Sequence, residues 1–115
     1  MDALFHDGSL CVFPVLADDG SLTLRLEGSI DRTTSPAWRS ALMCATGREG
    51  DVVVDMADVE FIDVAGLREL VSVALSLPAG RRLRVRRLAP AMAKVVRLAG
   101  WDGVFGLVLE EAGRP

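Results

Sequence analysis

Four carboxylates fall within nine residues in the middle of the chain: Asp55, Asp58, Glu60 and Asp63. Such a density suits a metal loop, which gathers several oxygens around one cation. The spacing is not that of an EF-hand, and the turn lacks the glycine that loop needs. Turn and helix-cap roles fit the four better. His6 is the only histidine. No Ser or Cys stands at a spacing that would make it the base of a nucleophile. No P-loop and no GxGxxG occurs. Arg81, Arg82, Arg84, Arg86 and Arg87 form the basic cluster. Their alternation describes the solvent face of a strand, where like charges blunt a sheet edge. Contact with an anion or an acidic partner is the other reading open to them. Without interleaved aromatics they are a poor nucleic-acid signal. Cys11 and Cys44 make neither a disulfide framework nor a CxxC pair, so buried free thiols are expected. The chain therefore reads as a non-enzyme, with no cofactor and no metal.

The composition agrees. A chain of 115 residues is one domain, and half its residues are hydrophobic, ample for a core at this size. The net charge of −3 argues against general attraction to nucleic acid. No run approaches the ~18 apolar residues of a membrane span, so direct membrane insertion is not expected. The N-terminus has no basic region followed by an apolar stretch. The expected location is cytoplasmic.

The elements that must position these residues follow from periodicity. Residues 1–9 have little pattern and read as a loose lead-in. Residues 10–16 are an apolar strand, with Pro14 favouring an edge position. Asp18-Asp19-Gly20 is a hairpin turn signal. Leu22, Leu24 and Leu26 then alternate with Thr23, Arg25 and Glu27, a strand wet on one face. Residues 28–35 read as a polar loop. Ser35 and Pro36 read as N-cap and first residue of a helix over 36–46, with Trp38, Ala41, Leu42 and Ala45 on one face and Gly47 closing it. Val52, Val53 and Val54 have no polar face and suit a strand covered on both sides. Asp55-Met56-Ala57-Asp58 should break it. Asp63 is a good N-cap for a second helix over 64–77, buried through Leu67, Leu70, Val71, Ala74 and Leu75. Gly66 in its first turn would let another backbone or a partner come close. Residues 82–88 read as a strand. Pro90 opens a third helix over 90–99, with Met92, Val95, Val96 and Ala99 on one face. Residues 104–109 read as a short last strand or extended tail, and 110–115 as the C-terminal tail. The order β-β-α-β-α-β-α-β implies an α/β fold, a mixed β-sheet packed against α-helices.

Two of these stretches have a recognisable form. Asp63-Val64-Ala65-Gly66-Leu67 follows an apolar strand and opens a helix. It resembles the Asp-[Ser/Thr]-[Ser/Thr]-Gly-Leu segment of the STAS domain, the family of sulphate transporters and anti-sigma factor antagonists. Gly28-Ser29-Ile30-Asp31 resembles the Gly-[Glu/Asp]-[Ile/Leu/Val]-Asp run that family places before its first helix, with Ser29 in place of the acid. The resemblance covers about residues 10–109 and implies a single STAS-type domain.

The resemblance also carries expectations about function. In the bacterial antagonists the second hydroxyl residue accepts phosphate from a partner kinase, and the phosphate weakens binding. Ala65 stands there, after Val64, and neither has an oxygen to phosphorylate. The implied function is a protein-binding regulator of the anti-sigma factor antagonist type, holding a serine-kinase anti-sigma factor constitutively. The alternative is an accessory subunit of a lipid-transport or other membrane-associated ATPase complex. A small-ligand or nucleotide sensor is a third reading, for which no phosphate cradle is found. The family's partner surface corresponds here to Asp31, Arg32, Thr33, Thr34 and Ser35, together with Asp63, Val64, Ala65, Gly66 and Arg68. A homodimer is compatible with this reading.

Overall fold

The structure is a computed structural model that describes residues 5–7, 9–16 and 20–110. Six strands form one mixed sheet in chain order: β1 (Phe5–Asp7), β2 (Leu10–Leu16), β3 (Leu22–Ile30), β4 (Val52–Ile62), β5 (Leu83–Arg86) and β6 (Leu107–Glu110). β1–β2 and β2–β3 pair antiparallel, and β3 to β6 run parallel. Three helices make the parallel crossovers: α1 (Ser35–Thr46), α2 (Val64–Ser76) and α3 (Pro90–Leu98). Each crossover moves one strand along in the same direction. The right-handed rule therefore puts all three helices on one face.

That face holds the core. Leu22, Leu24 and Leu26 are buried, as their period-two pattern predicts. Val52, Val54 and Met56 lie beside them, with Leu83, Val85 and Leu107 beyond. Trp38, Ala41, Leu42 and Ala45 seal α1 against the sheet. In α2, Leu67, Leu70, Val71 and Ala74 are buried as expected, but Leu75 is 65% exposed and Val73 takes the inner place. In α3 the stripe is shifted: Ala93 and Val96 are buried, Met92 and Val95 are half-buried, and Ala99 lies exposed past the helix end. A 3-10 turn (Trp101–Gly103) precedes β6. No helix among the described residues is long and apolar enough to cross a membrane.

Several elements depart from the pattern reading. Residues 5–7, expected in a loose lead-in, form β1 by pairing with residues 10–12. Three residues carry too little pattern to announce a strand; the neighbouring ladder decides. The His6 side chain lies outside the described part, as does most of the turn expected at Asp18-Asp19-Gly20. Pro14 lies beyond the residues that β1 covers, so its missing donor faces no partner there. β3 continues through Gly28 and Ser29, which were expected in a loop. Gly28 holds φ +114°, and a Cβ there would overlap the Ser9 carbonyl oxygen. Ser29 N–H donates to that same oxygen at 3.1 Å.

The Asp55-Met56-Ala57-Asp58 stretch does not break β4. The β3–β4 ladder shifts register between Arg25 and Glu27 and again between Gly28 and Ser29, absorbing extra residues as bulges. Asp55 Oδ1 accepts the Ala57 N–H at 3.0 Å, which satisfies the kinked backbone locally. The thiols also differ from expectation: Cys11 is half-buried and Cys44 is exposed on the outer side of α1.

The second sheet face carries no described helix. Its register rows run Thr23–Val53–Arg84–Val108 and Phe13–Arg25–Asp55–Arg86–Glu110. Val53 is only 2% exposed, yet it lies outside the core cluster. Most of the arginines are paired, and β5 is not an edge. Arg84 Nε and Arg86 Nε donate to the two Glu110 oxygens at 2.7 and 2.8 Å. Arg87 forks onto the Asp55 carboxylate. Arg81 donates to the carbonyls of Gly50 and Thr46 at 2.8 and 3.0 Å. Four of the cluster's five arginines are thus held in pairings, and Arg82 is exposed.

Candidate functional site

Two chain segments meet where β3 and β4 end side by side. Asp63 N–H donates to the Ile30 carbonyl at 3.0 Å, so the last rung of the ladder joins the loop 31–34 to the start of α2.

The loop is held by its own polar groups. Asp31 Oδ1 accepts the Thr33 N–H at 2.9 Å, the Thr33 hydroxyl at 2.7 Å and the Thr34 N–H at 3.3 Å. The Thr34 hydroxyl accepts the Asp31 N–H at 2.9 Å and donates to the Ser29 carbonyl at 2.9 Å. These bonds replace the cap expected from Ser35. The N-cap is Thr34, whose side chain is turned back into the loop, and Ser35 begins α1. The bond from the Thr33 hydroxyl, with the loop amides behind it, outweighs burial and holds the Asp31 carboxyl below its ordinary value. Asp31 is therefore ionised at neutral pH, next to the exposed guanidinium of Arg32.

On the other side, Asp63 caps α2 as expected, its Oδ1 accepting the Gly66 N–H at 2.7 Å. Gly66 is small for an internal reason. A Cβ there would meet Ile30 Cγ2 at 2.8 Å and Ile62 Cγ1 at 2.9 Å. The close approach predicted for Gly66 is thus made by the protein's own core. Trp38 completes the joint: its buried Nε1 donates to the Gly66 carbonyl at 3.1 Å, tying α1 to the first turn of α2. Outside this seam, Arg39 and Glu69 pair at 2.9 Å.

A cavity of ≈ 330 Å³ opens between the two segments. Asp31, Arg32, Ser35, Asp63, Ala65 and Gly66 line it, so six of the ten residues singled out from sequence share one hollow. Ile30, Pro36 and Trp38 also line it and were missed. Trp38 gives a usable signal: a buried indole N–H needs an acceptor, and the glycine at the next helix start offers a bare carbonyl. Val64 and Arg68 are exposed on the rim side of α2. Thr33 is exposed, whereas Thr34 is 1% exposed and serves the loop's internal bonds. Ala65 is exposed and has no side-chain oxygen.

No cluster of three or more His, Cys, Asp or Glu residues suited to a metal exists among the described residues. Asp55, Asp58, Glu60 and Asp63 are strung along β4 and its end, and only Asp63 reaches this cavity.

Comparison with known proteins follows the same outline. Residues 15–110 match the family model described as Mlab, STAS domain. No curated protein matches the chain in sequence. Among solved structures, the chain is similar to an anti-sigma factor antagonist from Mycobacterium paratuberculosis. Identity is 27%, TM-score 0.77, and coverage 87% of this chain and 86% of that one. It shares the fold of the anti-sigma factor antagonist SpoIIAA in its unphosphorylated form, at 18% identity and TM-score 0.68, with 89% of each chain covered. The phosphorylated form of the Bacillus cell fate determinant SpoIIAA matches at 18% identity and TM-score 0.65, covering 89% of this chain and 93% of that one.

Proposed function

Because the chain belongs to the STAS domain family, we propose that it is a non-catalytic regulator that binds a protein partner through residues 31–35 and 63–68. The partner of the leading reading is a serine-kinase anti-sigma factor. The likeness to the Mycobacterium paratuberculosis antagonist supports this reading at the level of the whole domain. The single observation that carries it is the joint between the two segments: one cavity, a loop bearing Asp31 and Arg32, and an exposed helix start meet at one end of the sheet. Ala65 lies on that surface without a hydroxyl. A phosphate there would bring up to two negative charges beside Asp31 and Asp63 and repel an acidic or closely packed partner. Ala65 cannot take it, so binding is constitutive.

A second reading is favoured by the same residue. An exposed, permanently unmodified contact also suits an accessory subunit docked on a lipid-transport or other membrane-associated ATPase. Affinity capture from the native cell, read by mass spectrometry, separates the two. A kinase-type anti-sigma factor supports the first and transporter ATPase subunits the second. Capture that is unchanged by Ala65→Glu would place the contact elsewhere and overturn the site. The expected location is the cytoplasm, where either partner would present its surface.

A further inference from the structure

β4 outruns its neighbour. β5 pairs only with Val52, Val53, Val54 and Asp55 and then ends. Arg87 adopts φ +57° and the chain leaves the sheet for α3. Residues 56–62 of β4 therefore have β3 on one side and, among the described residues, no strand on the other. Ala57, Asp58, Glu60 and Phe61 are exposed, although strand alternation puts neighbours on opposite faces. Met56 and Ile62 at its two ends turn into the core, and the exposed part lies between them.

Beside the bare edge lies a narrow apolar seam between Val59, Phe61 and Ile62 of β4 and Leu88, Ala89 and Met92 at the start of α3. Phe61 is 51% exposed. An unpaired edge with an apolar seam is the geometry to which an extended segment adds as a further strand. Main-chain hydrogen bonds would supply the attachment, and alternate side chains would lie over the seam, which is filled by its own lining.

Charge decides the occupant. No ion pair among the described residues includes Asp58 or Glu60. A second copy pairing antiparallel about Val59 would set Asp58 against Glu60 of the first copy. Like charges placed directly opposite destabilise a ladder. A basic strand meets the opposite condition. We propose that the edge of residues 57–61 accepts an extended segment of another protein in which basic and apolar residues alternate. The slot is separate from the cavity at residues 31–35 and 63–66, so it stands or falls independently of the function proposed above.

The test uses the whole protein and two short synthetic peptides, one alternating valine with arginine and one alternating valine with glutamate. Amide hydrogen exchange is followed residue by residue. The arginine peptide should slow exchange within residues 57–61 by about tenfold or more at saturation, while the glutamate peptide leaves it unchanged. Asp58→Lys with Glu60→Lys, both on exposed positions, should reverse the preference. Ala65→Glu should leave the protection intact. Protection by neither peptide, or by both equally, would overturn the proposal. The two acids would then serve only to keep the edge from pairing with a second copy.

Discussion

Trp38 and Gly66 are joined by one buried hydrogen bond, from the indole Nε1 to the glycine carbonyl at 3.1 Å, across the seam between α1 and α2. The bond fixes the cavity wall, because both residues line the hollow that the loop 31–34 closes. Trp38→Phe keeps an aromatic ring but strands the carbonyl side of the joint. The expected cost is about 1–3 kcal/mol of stability, read from denaturant or thermal melts. A melt identical to wild type would show that the joint does not depend on this bond.

Gly66→Ala tests the same joint from the other side. Alanine is the better helix former. Here its Cβ would press on Ile30 and Ile62, both fully inside the core. Overpacking should dominate, with a net loss of about 1–3 kcal/mol. A gain in stability would mean that the two isoleucines yield freely.

Ala65→Glu tests the contact surface. An acid in the first turn of a helix is tolerated or mildly stabilising, so the melt should stay near wild type. Affinity for the captured partner should fall about tenfold or more, equivalent to about 1.4 kcal/mol. The measurement is titration of purified protein and partner. Wild-type affinity in a well-folded variant would move the interface away from α2.

Ala65→Ser restores a hydroxyl at the position of the antagonists' phosphoacceptor. If the partner is a serine kinase, incubation with ATP should modify the variant at residue 65 and leave wild-type residues 63–67 unmodified. Stoichiometric phosphate on Thr33, Thr34 or Ser35 of the wild type would overturn constitutive binding. Thr34 is the least accessible of the three.

Acid should loosen the far end of the sheet. Burial alone would raise the Glu110 carboxyl, but the bonds from Arg86 and Arg84 outweigh it and hold it below its ordinary value. A carboxyl whose folded value is depressed stabilises the fold above its unfolded value, about 4.3, and that contribution is lost as pH falls through the folded value. Melts between neutral pH and strongly acid pH should show this loss below about pH 4. Glu110→Gln should flatten that part of the profile and leave a lower plateau at neutral pH. An unchanged profile would mean that Glu110 gains nothing from its arginines.

Much of this was legible in the sequence because the signals were local. Asp63 before an apolar stripe announces a cap, and the cap is there. Leu22, Leu24 and Leu26 announce a half-buried strand. The misses were tertiary. Gly28 reads as a turn glycine, yet it serves a close crossing with Ser9. Asp55 reads as a strand breaker, yet Arg87 neutralises it inside the sheet, where it is 7% exposed. The arginine run reads as a charged edge because its partner, Glu110, reads as tail, one residue past the expected last strand. At the candidate site, the two segments could be named from the sequence. Trp38, which joins them, looked like an ordinary core residue.

The helix-free sheet face has one more consequence, and it is entropic. Ordering another covering helix would cost about 1–2 kcal/mol of backbone freedom for every residue fixed. Instead, Arg84 and Arg86 stay partly exposed on that face with their guanidinium heads held on Glu110. Only side-chain freedom is given up. Charge on that side is thus settled by side chains alone, and its chemistry can be rewritten one side chain at a time, with no helix to re-lay.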